Sequence, residues 1–213
     1  MKFPFLATFI LFIVLFNIRL RLASRKEEQQ EEKFWDRELR SNSVRKKSLD
    51  TLEYVHLPYD LLPFGTAGDD ENLQEIEDEL TALKDLKIVN LTGITNTDLK
   101  LEYGTANITA LTEYDQNYTS LVIALQKWGD ALYTLGRFED AASVLEFAVK
   151  TRTDITATYR LLIDMYKTKL GLNEQEIQRK LDGLVPIANS LNSLSRSTIL
   201  KLLEPSDNDS DPE

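Results

Sequence analysis

The chain has 213 residues, no cysteine, one histidine and a formal charge of -10, with 42% hydrophobic and 28% charged residues. That balance is ordinary for a globular protein, and the lack of cysteine excludes a disulfide scaffold, a thiolate zinc site, a cysteine nucleophile and a lipidated cysteine. The charge is uneven: residues 1–50 carry 11 Lys/Arg against 7 Asp/Glu, and residues 51–213 carry 14 against 28. A body of that sign repels phosphate backbones, so nucleic acid is not an expected partner, whereas a basic stretch beside a bilayer is drawn to anionic headgroups.

From Phe3 to Ile18 thirteen of sixteen residues are apolar, and Leu20 and Leu22 extend the run between arginines. A helix over 1–22 spans about 33 Å, against about 30 Å of hydrocarbon, so the segment is expected to cross as a single-pass anchor with Arg19 and Arg21 snorkelling. A cleaved signal peptide is the rival. Its charge would precede the apolar run and small residues would follow, but here Lys2 stands alone in front and Arg19, Arg21, Arg25 and Lys26 follow. The heavier basic flank stays inside, which predicts an outside N-terminus and a cytoplasmic domain, with those four cations near anionic headgroups.

Residues 23–49 read as a charged juxtamembrane helix, on which the adjacent Phe34 and Trp35 are unusual for a solvated stalk. Residues 50–68 change character. Pro58 and Pro63 forbid a continuous helix, so Tyr54–Leu57 and Leu61–Phe64 are expected to run extended with their apolar side chains along a helical domain. His56, with no second histidine or cysteine to join it, reads as a partly covered side chain of that connector.

The helical domain is expected over 69–203. Asp69, Asp70 and Glu71 suit a helix N-terminus, and Leu73, Ile76, Leu80 and Leu83 follow at spacings of three and four. Residues 87–98, rich in Thr and Asn, predict a loop or short turns ending near Asp98, which would cap a helix carrying Leu99 and Tyr103.

Residues 119–150 hold the one specific signal, a helix pair in the spacing of a tetratricopeptide repeat over 122–153. Leu125, Trp128, Gly129 and Leu132 take the large, large, small and large positions of a first helix. Gly136 and Phe138 supply the turn, and Ala141, Leu145 and Ala148 the small-large-small face of a second helix. Small residues let the two helices approach while large ones fill the grooves beside them. The departures are the different distribution of bulk over Leu125 and Trp128, Leu145 in place of an aromatic and Thr153 in place of a closing proline. A degenerate copy over 156–187 carries Tyr159, Leu162, Ile163 and Tyr166, then Gly171, Asn173, Ile177, Leu181 and Leu184. A last segment with Leu191, Leu194, Ile199, Leu202 and Leu203 is expected to close the stack, and residues 204–213 form an acidic tail expected to be disordered.

The anchor, Phe34-Trp35-Asp36-Arg37-Glu38, Leu61-Leu62-Pro63-Phe64, Asn96-Thr97-Asp98-Leu99-Lys100 with Tyr103-Gly104, Glu113-Tyr114-Asp115-Gln116-Asn117 and the repeat together resemble membrane-anchored tetratricopeptide-like helical repeat proteins of Gram-positive bacteria. The resemblance covers most of residues 1–190. It implies an all-α fold, a transmembrane helix plus a short α-solenoid of antiparallel helix pairs, and it carries no assigned chemistry.

The inventory itself offers no phosphate-cradling glycine loop, no metal-ligand cluster and no nucleophile paired with a base, so neither catalysis nor a cofactor or metal is expected. Asn90, Asn107, Asn117 and Asn208 begin Asn-x-Ser/Thr sequons, whose occurrence is ascribed to chance in a Ser/Thr-rich chain. The expected function is a membrane-tethered interaction module, adaptor or scaffold, with an unidentified protein or peptide as partner. A self-assembling structural subunit of a membrane complex is the alternative, and an exported cell-surface domain the weaker one. Subtracting the packing positions leaves Ile123, Gln126, Asp130 and Tyr133 on one first helix and Ala157, Arg160, Asp164 and Lys167 on the next. In the proteins this repeat resembles, first helices line the concave groove, so this stripe is the candidate partner-binding surface.

Overall fold

A computed structural model describes residues 4–204, with side chains from residue 9 onward. Among the described residues the chain is all-helical: α1 (Pro4–Asn42), α2 (Glu71–Ala82), α3 (Asn96–Tyr103), a 3-10 turn (Thr105–Asn107), α4 (Ile108–Thr134), α5 (Phe138–Lys150), α6 (Thr156–Thr168), α7 (Glu174–Ser190) and α8 (Arg196–Leu203). The only extended pairing among them is an isolated antiparallel bridge between Tyr54 and Val89. The chain forms two compact units, one of residues 1–48 with 95–108, the other of 49–94 with 109–213. Residues 95–108, expected within the 69–203 domain, therefore group with the N-terminal helix.

In the first unit α1 runs unbroken for 39 residues. Its sole proline is Pro4, the first residue described. Every residue from 9 to 37 is exposed. Among the described residues no helix is long and apolar enough to cross a membrane. The apolar run that can be followed from Phe9 meets Arg19, Arg21, Arg25 and Lys26, and the first residues of the anchor expected over 1–22 lie outside the described ones. The expected tail lies outside them too, apart from Glu204.

The C-terminal end of α1 is clasped by α3. Arg37 pairs with Asp98, and the Glu38 carboxylate accepts from the Lys100 ammonium and, at 2.7 Å, from the Thr97 hydroxyl. Buried Ser41 accepts on its carbonyl from the Thr105 hydroxyl. Buried Asn107 donates its amide to the carbonyls of Lys47 at 2.8 Å and Tyr103 at 2.7 Å. Gly104 has φ 87°, and a Cβ there would stand 2.3 Å from the Arg45 carbonyl oxygen, so only glycine lets the two backbones meet. The start of α3 differs from expectation. Thr95, not Asp98, is the N-cap, and its hydroxyl accepts from the Asp98 N–H while donating to the Asp98 carboxylate. A Thr three residues ahead of an acid satisfies orphan N–H groups at a helix start, and that arrangement outweighs the local competition of the Thr/Asn run.

In the second unit α4 and α5 form a helical hairpin. Gly136, with φ 75°, turns the chain, while the N–H groups of Gly136 and Arg137 close on the carbonyls of Tyr133 and Leu132 at 3.0 and 2.9 Å. Gly129 and Leu145 lie similar distances either side of that turn, and a Cβ on Gly129 would come within 2.4 Å of Leu145 Cδ2. The helices are therefore antiparallel and in contact at that point. Leu125, Trp128, Leu132, Ala141, Leu145 and Ala148 are all fully buried. α6 packs against α5, α7 and α8, with Tyr159, Leu162, Ile163 and Tyr166 buried. A capping box at Asn173 and Glu176 starts α7. α8 closes the far side through Ile199 and Leu203, but Leu194, expected in that closing face, is 99% exposed in the turn before it. Thr153 is buried and hydrogen-bonded: its hydroxyl accepts from the Ile155 N–H and its carbonyl from the Tyr159 hydroxyl.

The connector lies as a strap against α4. Leu62 is buried, Phe64 sits 4.7 Å from the Trp128 ring, and Tyr59 sits 4.7 Å from Phe64. Arg137 donates to the Thr66 carbonyl at 2.9 Å, and Glu77 accepts from the Gly65 N–H at 2.8 Å. α2 follows the strap, and its N-cap Asp70 accepts on its side chain from the Leu73 N–H.

Candidate functional site

The candidate stripe lies on α4 and α6, and the structure joins four of its polar members in two pairs, Gln126 with Asp130 and Tyr133 with Asp164. The Gln126 side chain accepts from the hydroxyl of buried Thr158 and donates to Asp130 at 3.0 Å. The Tyr133 hydroxyl donates to Asp164 at 2.9 Å, which raises the Tyr133 pKa: deprotonation would lose that hydrogen bond, in a partly desolvated position beside a carboxylate. Tyr133 also meets Phe138 edge to face at 5.3 Å. Gln126, Tyr133 and Asp164 are thus half-buried seam residues between α4 and α6. Ile123, Asp130, Ala157, Arg160 and Lys167 remain exposed.

Sequence reasoning missed Thr158, which is fully buried beside Ala157. The available signal was its place 32 residues after Gln126, close to one repeat length, so that a polar side chain on each helix reaches the same level of the seam. It also missed the role of Glu113–Asn117. On α4, Asp115 accepts from the Leu91 N–H at 3.0 Å, Asn117 donates to the Lys87 carbonyl at 3.0 Å, and the Tyr114 carbonyl accepts from the Val89 N–H at 3.2 Å. That motif anchors the 87–91 segment. Likewise Phe34–Glu38 and Asn96–Lys100, far apart in sequence, supply the two sides of the clasp.

A second concave region of about 400 Å³ lies between the strap, Asn90 and the end of α5, lined by Glu53, Tyr54, His56, Leu61, Phe147 and Arg152 among others. Its size suits a small ligand, but Asn90, Arg152 and Glu53 are engaged within the fold. Asn90 donates to the Thr151 and Arg152 carbonyls at 3.2 and 3.3 Å, and Arg152 pairs with Glu53 at 3.4 Å. His56 is exposed there, and among the described residues no three His, Cys, Asp or Glu are grouped to hold a metal ion.

The sequons acquire a physical reading. Asn90, Asn107 and Asn117 each donate the side-chain amide to a backbone carbonyl, so a glycan on that nitrogen would take a donor from the fold. Asn208 lies outside the described residues. In comparisons with known proteins, no family model, no curated protein and no solved structure matches this chain.

Proposed function

We propose that the chain is a membrane-attached protein-interaction module without catalytic activity, an adaptor or scaffold whose domain faces the cytoplasm and whose N-terminus faces outward. The observation that carries it is the exposure of α1 on every side, from Phe9 at 60% through Phe12 and Leu15 to Leu22 at 57%. A helix apolar all round is stable only in apolar surroundings, and Arg19, Arg21, Arg25 and Lys26 follow where headgroups would meet it. The tetratricopeptide-like reading is supported by the Gly129–Leu145 approach and by the burial of all seven packing residues.

The seam favours a shift within this reading. Because Gln126, Tyr133 and Asp164 bond across α4 and α6, a Tyr133→Ala and Arg160→Ala pair of changes would disturb packing as well as any partner. The groove is thereby a weaker candidate surface, and the structural-subunit alternative gains. The test is alkaline extraction of native membranes with protease added to intact cells. Full-length protein is expected to stay in the membrane pellet with its domain undigested. Replacing Phe12 and Leu15 by aspartate is expected to release it. Release of the unaltered chain into the soluble fraction would sink the attachment, and digestion from outside would reverse the orientation.

A further inference from the structure

The strongest unassigned feature is a cleft in the first unit. The end of α1 supplies Lys33, Asp36, Arg37 and Arg40, the chain after it Val44 and Lys47, and α3 Leu101, around a volume of about 660 Å³. Helical geometry explains the convergence: positions 33, 37 and 40 recur at spacings of four and three and so share one face of α1. Asp98 neutralises Arg37 and Glu38 is held by Lys100, so the acid left to offset Lys33, Arg40 and Lys47 within the lining is Asp36. Lys33, Arg40 and Lys47 are exposed and make no ion pair among the described residues. The cleft therefore presents a surplus of positive charge around the apolar side chains of Val44 and Leu101.

We infer that this cleft is the docking site for an acidic, amphipathic segment of a partner protein. The inference deepens the interaction-module reading by moving the contact surface from the α4/α6 stripe to the shaft. Charge complementarity selects an anion, and the apolar floor selects a partner with carboxylates flanking aliphatic side chains rather than a bare phosphate. Distance disfavours a lipid headgroup. Along a helix, Lys33 lies about 16 Å and Arg40 about 27 Å beyond Leu22, the last residue of the apolar run, while exposed charges are screened over about 8 Å at physiological ionic strength.

The test uses the full chain in non-ionic detergent and a fluorescein-labelled amphipathic helical peptide of glutamate and leucine, with its lysine-for-glutamate counterpart as the control peptide. Fluorescence anisotropy is expected to show binding of the acidic peptide that weakens with added salt, and little binding of the basic one. Changing Lys33, Arg40 and Lys47 together to glutamate is expected to weaken binding at least tenfold, and changing them to glutamine to give an intermediate loss. Circular dichroism checks that both variants fold. A triple reversal elsewhere, Arg179→Glu, Arg196→Glu and Lys201→Glu, alters net charge equally and is expected to leave affinity within about twofold. Equal losses in both triple reversals would reduce the effect to net charge and overturn the assignment, as would an unaffected cleft variant or no binding of the acidic peptide. If the cleft changes instead alter the preference for phosphatidylglycerol over phosphatidylcholine nanodiscs and leave peptide affinity alone, the cleft serves headgroups and the proposal falls. None of these failures bears on membrane attachment, which extraction tests separately.

Discussion

The contact between Gly129 and Leu145 sets how closely α4 and α5 pack, because a single Cβ would press to 2.4 Å on a leucine methyl that is itself fully buried. Gly129→Leu should therefore cost more than the roughly 1–3 kcal/mol usual for overpacking, since the site is helix against helix with little room to relax. Urea unfolding of the second unit measures it, and an unchanged midpoint would remove the close-approach account. A double-mutant cycle sharpens the test. Leu145→Ala opens a cavity and Gly129→Ala adds a methyl that clashes, so the combined change should destabilise by clearly less than the sum of the two. This contact was legible in the sequence because small and large residues at fixed repeat spacings imply it. The seating of Phe64 on Trp128 was legible only as a tendency: an apolar proline-containing run must cover something, but nothing in residues 50–68 says which ring it meets.

At the scale of elements, the clasp between α1 and α3 depends on ionised carboxylates. Glu38 is held below the usual carboxylate range chiefly by its hydrogen bond from Lys100 and then by Thr97, and Asp98 chiefly by the Thr95 hydroxyl and then by Arg37. A carboxyl whose pKa is lower when folded stabilises the fold above its unfolded pKa, and that contribution fades as pH falls through the depressed value. The clasp should thus be complete at neutral pH and loosen from about pH 4 downward. Hydrogen exchange of the α3 amides at pH 6 and pH 3, corrected for intrinsic rates, reads this out. Protection should fall in acid, and Glu38→Gln should lower it at pH 6 and shrink the difference. Flat protection across that range would show that the ion pairs add nothing. The α2 stripe and the α4–α5 hairpin were readable from local spacing. The clasp was not, because its partners are about sixty residues apart and the Thr/Asn run around α3 argues locally for a loop.

For the whole molecule, the sequence pointed to helices and to their pairing but not to the division into units, since residues 95–108 are attached by covalent continuity to one unit and by packing to the other. What fills a gap in the chain's hydrophobic pattern is a question of three-dimensional neighbours, and periodicity within a window cannot answer it. The unbroken α1 also sets a height and an azimuth. A continuous helix is a post that gains about 1.5 Å and turns about 100° with each residue, so the clasp it carries has a fixed height and a fixed compass bearing relative to its root. Inserting helix-forming residues between Gln29 and Gln30 separates the two. Seven alanines raise the clasp by about 10 Å while rotating it by only about 20°, whereas two raise it by about 3 Å and swing it by about 160°. If the partner is rooted in the same bilayer, crosslinking between them should survive the longer insertion better than the shorter one, rising and falling with the helical period. A smooth decline with length would mean that the post acts as a tether and that bearing carries no information.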